Sequence, residues 1–204
     1  VLNNATVDET YVYHDGAWTR TDNLNGRVDR RMREYRIDRE GFISAETQQV
    51  FDGGDYVCSL RSEYEPVGGL RREVRRSGSD IDGAVQIEFG WVCDPDNPLR
   101  NGLPLFTVGN RAPWNHRSYD SRGREILLAE QRDGSEFPSA FAGGEFSSVT
   151  GLVSAAGGAA MFVTASSYEP VEGDSSHRDD SRSPRVIERY VAGNDGTALV
   201  SREV

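Results

Sequence analysis

The fold of this chain is indicated most clearly by the stretch YDSRGREILLAEQRDG, residues 119–134. It begins with a Tyr-Asp pair, reaches Gly-Arg, continues into an apolar run and closes on Asp-Gly. Aspartate favours an Asx-type turn, glycine supplies the positive φ that follows, and the aromatic ring can fill the layer beneath the turn. The pattern therefore predicts a turn that leads into a β-strand, with turn residues Tyr119, Asp120, Gly123 and Arg124.

Related patterns occur elsewhere in the chain. Asp38 lies three residues before Gly41, as Asp120 lies before Gly123, and Asp195-Gly196 precedes another alternating stretch. A unit of this kind buries little surface alone, but stacked units extend one sheet. We therefore predict further repeat turns at Asp38 and Gly41 and at Asp195 and Gly196.

Residues 119–134 closely resemble the YD repeat of the RHS (rearrangement hot spot) family, whose unit runs Tyr-Asp-x-x-Gly-Arg and then a strand. The resemblance implies a long β-ribbon that curls into a hollow shell around a passenger polypeptide or is displayed on a cell surface; some members are proposed to bind carbohydrate. The family's self-cleaving Asp-Pro-x-Gly-Leu motif is missing, since Asp94-Pro95 continues as Asp-Asn-Pro. The resemblance thus implies a section of wall with no protease.

Alternating apolar and polar residues predict strands along most of the chain. In residues 84–93, AVQIEFGWVC, one parity is apolar, which indicates a strand with one buried face. That predicted face consists of Val85, Ile87, Phe89, Trp91 and Cys93. Asp-Gly or Gly-Gly pairs between alternating stretches are strong hairpin signals. They occur at Asp15-Gly16, Gly53-Gly54, Gly68-Gly69, Asp82-Gly83, Asp133-Gly134 and Asp195-Gly196.

These signals predict an all-β fold, an antiparallel repeat-built sheet that is extended or curled. Residues 1–204 are expected to form one such region, a piece of a longer chain. The glycine pair in residues 151–162, GLVSAAGGAAMF, favours a turn between two strands over a helix. Residues 168–184 are polar and charged, and we expect an exposed, mobile loop there.

The net charge and the hydropathy of the chain indicate which classes of partner it is expected to lack. The net charge of −10 disfavours nucleic-acid binding, because phosphate attracts basic surfaces. No apolar run reaches the ~18 residues of a membrane span. The basic run in residues 70–76 is expected to pair across strands with Glu63, Glu65 or Glu88 and to fix register.

The chain offers few candidates for chemistry. His14, His116 and His177 lack metal-ligand spacing, so we expect surface or turn histidines, no metal and no cofactor. No nucleophile elbow or phosphate loop is present, and we predict no catalytic residue. Cys58 and Cys93 share the inward parity of predicted strands, which leaves a disulfide and two buried thiols both open.

One turn-rich segment contains the strongest ligand-contact candidates. Trp114 precedes polar residues there, and an exposed indole could stack on a sugar; the alternative is a tryptophan that packs a loop onto the sheet. The predicted ligand-binding residues are Trp114, Asn115, His116 and Tyr119.

The sequence and the resemblance together favour a structural scaffold or encapsulating-shell segment of a secreted or cell-surface RHS/YD-repeat protein, located outside the cell or in its envelope. Its expected partners are neighbouring repeats, a second copy joined through sheet edges, and an enclosed polypeptide or glycan. A carbohydrate- or surface-binding β module is one alternative. A glycan hydrolase is another, because the chain is rich in carboxylates.

Overall fold

The structure is a computed structural model that describes residues 9–14, 17–24, 29–36, 42–51, 56–65, 69–75, 85–169 and 183–204. The chain divides into two compact units, Val1–Glu88 and Phe89–Val204. The boundary falls within one strand, and each unit is described by itself.

The described residues are antiparallel β-structure with a single α-helix and one 3₁₀ helix, so the predicted all-β, antiparallel class is confirmed. The strands are β1 (Glu9–His14), β2 (Ala17–Leu24), β3 (Asp29–Arg36), β4 (Ile43–Phe51), β5 (Tyr56–Glu65), β6 (Gly69–Arg75), β7 (Val85–Trp91), β8 (Pro104–Gly109), β9 (Asn115–Tyr119), β10 (Glu125–Gln131), β11 (Met161–Ser167), β12 (Val186–Gly193) and β13 (Gly196–Glu203). The 3₁₀ helix spans Ser139–Ala142, and α1 spans Val149–Ala155.

In the first unit each strand from β1 to β6 pairs with the next one along the chain. His14 lies opposite Ala17, and Glu65 lies opposite Gly69, so strands pair on both sides of two predicted turns. Several of the predicted turn residues themselves lie outside the described residues: Asp15-Gly16, Gly53-Gly54, Gly68, Asp82-Gly83, Asp38 and Gly41. Short connections explain the meander, because antiparallel neighbours need only a few residues to reverse direction.

Ion pairs lie on both faces of this first sheet. On one face Arg33 Nε lies 2.9 Å from Glu46 Oε2. On the other face Arg61 Nη1 lies 2.7 Å from Glu34 Oε1, and its Nε lies 3.0 Å from Glu63 Oε1. The register assigns these pairs to opposite faces. Arg33 lies opposite Glu46, and Arg61 lies opposite the next residue, Thr47. Successive side chains of a strand point to opposite faces of the sheet, so Glu46 and Thr47 do so as well.

Small side chains occupy the buried positions between these charges. Among the described side chains of the first unit, the buried ones are Ala45 at 2 % exposure and Thr47 and Ser62 at 8 % each. The predicted pairing of the basic run is confirmed at one position, where Arg71 Nε lies 3.3 Å from Glu65 Oε1. The described part of this sheet thus carries charged side chains on two faces instead of one apolar face packed on a core.

The second unit contains a conventional core. Strands β8 to β13 again pair in chain order. Residues 132–160, which we call the crossing segment, connect β10 to β11 and contain both helices. They cover one face of the sheet. The buried cluster there consists of Trp114, Leu127, Ala129, Phe141, Leu152, Ala156, Met161, Val163 and Ala192.

The crossing segment corrects two sequence predictions. Asp133 and Gly134 do adopt left-handed backbone, with φ of 56° and 71°. They do not close a hairpin, because Gln131 pairs with Met161 and the whole segment lies between the two strands. Residues Val149–Ala155 form α1 instead of a turn between strands.

The helix forms because Leu152, 0 % exposed, packs into the core, and this packing outweighs the low helix propensity of Val149, Thr150 and Gly151. The Oγ of Ser148 caps its first turn by accepting a hydrogen bond from the N–H of Gly151 at 3.2 Å. The glycine pair acts just after the helix: Gly157 and Gly158, with φ of 60° and 92°, lie between α1 and β11.

Strand β7 departs from the predicted alternation at its end. Val85, Ile87, Phe89 and Trp91 are half-buried, whereas Val92 is buried at 4 % and Cys93 is exposed. The strand stops at Trp91, and the N–H of Val92 turns to the carbonyl of Leu103 at 2.9 Å, so the inward parity predicted for Cys93 is wrong. Cys58, in the first unit, is half-buried, and both cysteines are free thiols.

Residues 94–103 form successive turns between β7 and β8. Their prolines and asparagines favour turns over strand. Most of the loop predicted at residues 168–184 lies outside the described residues, so its exposure stays a prediction. Of its described ends, Glu169 and Ser183 are exposed and Tyr168 and Pro184 are half-buried. In the described part of the chain, no helix has the length and apolarity that crossing a membrane requires.

Candidate functional site

The turn between β9 and β10 is organised by the carboxylate of Asp120. Its Oδ1 accepts the main-chain N–H groups of Arg122 and Arg124, each at 2.9 Å, and its Oδ2 accepts the Nε–H of Arg124 at 2.6 Å. The main chain closes the same loop, because the N–H of Asp120 donates to the carbonyl of Arg124 at 3.0 Å. The predicted Asx-type turn is therefore present, and its Arg completes it with an ion pair.

The charge of Asp120 is stabilised by this geometry. Burial alone would raise its pKa, but the hydrogen bonds from the main chain and guanidinium of Arg124 and from the main chain of Arg122 outweigh burial, and the pKa is lowered. The carboxylate therefore stays ionised in weak acid.

Gly123 is required in this turn for two reasons. Its φ is +74°, the left-handed region that residues with a side chain avoid. A Cβ at this position would also lie 2.2 Å from the carbonyl oxygen of Leu99. The glycine thus lets the turn approach the loop of residues 94–103 closely.

Tyr119 and two charged residues connect the turn to its surroundings. The hydroxyl of Tyr119 donates to the carbonyl of Pro104 at 2.7 Å, and its N–H donates to Glu145 Oε1 at 3.1 Å. The other oxygen of Glu145 accepts from Arg100, which also lies 3.1 Å from Asp94. The turn, the 94–103 loop and the crossing segment are thereby connected by hydrogen bonds.

Two of the predicted ligand-contact residues lie in the core. Trp114 is 2 % exposed, donates from Nε1 to the carbonyl of Ser135 at 2.8 Å and packs edge-on against Phe141. His116 is 0 % exposed, so the expectation of a surface histidine is wrong for this residue. Neither ring has a face free for a sugar. Trp114 instead packs a loop onto the sheet, which is the alternative role that the sequence left open.

The remaining predicted residues vary in position. Asn115 and Tyr119 are half-buried in β9. His177 lies outside the described residues, as does the side chain of His14.

Asp195 and Gly196 do lie at a hairpin, where Gly193 pairs with Gly196 and Gly196 has a φ of 109°. That turn has two loop residues, whereas Tyr119 pairs with Glu125 across a longer loop, so the two described turns differ in length.

An open cleft adjoins the Asp120 turn on the face covered by α1. Its volume is about 360 Å³. Ile126, Val149 and Val186 supply apolar surface. Its polar lining consists of Asp120, Arg124, Ser147, Ser148, Ser166, Ser167, Tyr168, Glu169 and Glu188. A space of this size and mixed lining fits one small polar ligand with an apolar body.

The Arg124 guanidinium forms part of this cleft. Its Cζ lies 4.3 Å from the centroid of the Tyr168 ring, which is a cation–π distance. The hydroxyl of Tyr168 donates to the carbonyl of Glu125 at 3.1 Å. Burial raises the pKa of Tyr168, so its hydroxyl remains a donor at neutral pH.

Several residues of this region carry no sequence signal. Glu145, Tyr168 and Ser118 form hydrogen bonds with partners that are 26, 43 and 28 residues away along the chain. In one of them the N–H of Phe146 donates to Ser118 Oγ at 2.9 Å. Among the described residues no group of His, Cys, Asp and Glu side chains could hold a metal ion. Compared with known proteins, the chain matches no family model, no curated protein and no solved structure.

Proposed function

We propose that this chain is a structural section of a β-sheet wall, a scaffold or encapsulating-shell segment of a secreted or cell-surface YD-repeat protein. The observation that carries the proposal is the meander itself, in which strands pair in chain order in both units. Such a sheet grows by adding the next strand, which is the geometry a ribbon requires.

The first unit supports this role through its two charged faces. An ordinary half-buried sheet has one apolar face that must be covered. Here Arg33–Glu46 and Arg61–Glu34 lie on opposite faces, so the described part of the sheet is compatible with water on both sides. A wall between an interior space and the exterior has that requirement.

The edge at β13 is the place where we expect contact with another strand. Among the described strands β13 pairs with β12 alone. Leu199 and Val200 on it are 53 % and 65 % exposed. An exposed edge with apolar side chains is a template for a further strand, from neighbouring sequence or from a second copy.

Sedimentation velocity of the purified chain over a wide concentration range tests this role. We expect concentration-dependent dimers or larger species. Val200→Lys should shift the chain to monomer, because a charge on an edge strand opposes pairing. Phe162→Lys is the matched control, since Phe162 is also exposed but lies on β11, between β10 and β12. Monomers at every concentration would contradict the edge-pairing role.

Binding of a carbohydrate is a second candidate, favoured by the cleft beside Arg124 and Tyr168. Hydroxyl groups of four serines and the carboxylate of Glu169 line it together with apolar side chains, a combination suited to a polyol. A glycan array provides the test. Ser167→Trp should fill the cleft and abolish any signal, whereas Thr197→Trp, on exposed β13, should leave it intact. An array without binding would exclude this candidate and leave the wall proposal unaffected.

A further inference from the structure

His116 is a buried titratable side chain that holds the crossing segment against the sheet. Its ring is fully buried. Its Nε2 lies 2.7 Å from the carbonyl oxygen of Gly144, in the crossing segment. Because a carbonyl oxygen only accepts, Nε2 must carry the proton of the neutral imidazole.

The other ring nitrogen has apolar surroundings. Nδ1 is buried and has no hydrogen-bond partner among the described residues. The ring centroid lies 4.7 Å from that of Phe141 and 5.3 Å from that of Phe146, both in the crossing segment. A proton on Nδ1 would add a donor without an acceptor and a charge among aromatic rings, and burying either is costly.

The charged groups near His116 are engaged elsewhere. Across the strands it faces Phe106 of β8 and Ala129 of β10. Arg117, on the opposite face of β9, lies 3.4 Å from Glu125, and Glu130 of β10 is exposed.

In the crossing segment the nearby carboxylate is that of Glu145, next to Gly144. It binds Arg100 and the N–H of Tyr119. None of these carboxylates is hydrogen-bonded to the ring in the described part of the chain, so a charge on it would remain uncompensated.

We propose that protonation of His116 in weak acid releases the crossing segment from the sheet and uncovers the aromatic core of the second unit. The neutral ring joins sheet and segment through its single N–H, and the charged ring is tolerated only in water. The segment is therefore a cover that opens at acidic pH.

Linkage gives the direction of the effect. Burial lowers the pKa of His116 from its ordinary 6.5, and the bond to Gly144 offsets part of that decrease. The unfolded or released state therefore binds the proton more readily than the closed state. The closed state is fully stable above pH 6.5 and loses stability as the pH falls below that value toward the lowered pKa.

Hydrogen exchange of the intact chain from about pH 7.5 to 5.5 tests the proposal. The amide of Phe146, which donates to Ser118 Oγ, reports directly on contact between segment and sheet. After correction for intrinsic exchange, its protection should fall by up to about tenfold per pH unit below the ordinary histidine pKa. Amides of β11 and β12 serve as the internal reference.

Variants separate His116 from other titrating groups. His116→Gln keeps an N–H donor without a titrating ring and should make the protection of Phe146 independent of pH in this range. His14→Gln and His177→Gln should behave as wild type. If Glu145→Gln abolishes the pH response and His116→Gln does not, the proposal is overturned.

A measurement on the unaltered chain covers the case in which His116→Gln does not fold. The NMR titration of the His116 ring should show a pKa below 6.5, with Phe146 exchange rising over the same interval. A ring that titrates while the segment stays protected, or protection unchanged by pH, would contradict the proposal.

Discussion

Asp120 binds Arg124 twice, through the main-chain N–H at 2.9 Å and through the guanidinium Nε at 2.6 Å. One aspartate thus fixes both the path of the turn and the position of the guanidinium that lies over Tyr168. The Tyr-Asp-x-x-Gly-Arg spacing has a physical explanation here, since the Asp, Gly and Arg all act within one loop.

Replacing Asp120 should destabilise the second unit. Asp120→Ala removes three hydrogen bonds, and we expect a loss of about 1–2 kcal/mol in the free energy of unfolding. Asp120→Asn retains an acceptor for the main-chain N–H groups and should lose less. Urea unfolding followed by near-UV circular dichroism measures both; equal stability of all three proteins would contradict the assigned role.

The contribution of Asp120 should also depend on pH. Its pKa is lowered in the folded state, so its contribution is complete above the ordinary value of 3.8 and is lost as the pH falls below that value. The stability difference between wild type and Asp120→Asn should therefore shrink in acid below about pH 4. A difference that stays constant to pH 2.5 would show that the carboxylate charge contributes nothing.

Gly123 and Gly134 form a matched pair for testing backbone strain. Both have a positive φ, 74° and 71°, but a Cβ at Gly134 would meet nothing within 4 Å. Gly134→Ala should therefore cost about 1 kcal/mol for its backbone alone. Gly123→Ala adds the clash with Leu99 and should cost more, and Gly123→Val more still. Similar melting temperatures for the two alanine variants would argue against the close approach.

The core assignment predicts a contrast between two phenylalanines. Phe141 is 0 % exposed, and Phe141→Ala should cost about 3–5 kcal/mol. Phe162 is 48 % exposed, and Phe162→Ala should cost less than about 1 kcal/mol. Urea denaturation of the two variants measures the contrast. Comparable losses would mean that the crossing segment is not packed as described.

Arg61 tests the charged faces of the first unit. It contacts Glu34, Glu63 and Thr47, and partly exposed pairs of this kind contribute about 0.2–1 kcal/mol each. Arg61→Gln should therefore lose about 1 kcal/mol, less in 1 M salt. Arg71→Gln, at a 62 % exposed side chain, should be nearly neutral. A stability of Arg61→Gln that does not respond to salt would assign its effect to packing.

The sequence predicted what local chemistry determines. Alternation located the strands, and the Asp120 turn formed as its residues require, because both depend on neighbours along the chain. The crossing segment was missed because Asp133-Gly134 has the same local signature whether a hairpin or a long excursion follows. The burial of Trp114 and His116 depends on that same segment folding back over the sheet. No local sequence pattern indicates that the chain divides into two compact units within β7.

The most direct test of the wall proposal is a cryo-EM structure of this protein in its native assembly. We predict a strand hydrogen-bonded to the side of β13 that faces away from β12 and a sheet that continues beyond it as part of a scaffold or shell. A solvent-exposed β13 edge, with these residues folded as a separate closed domain, would contradict the account.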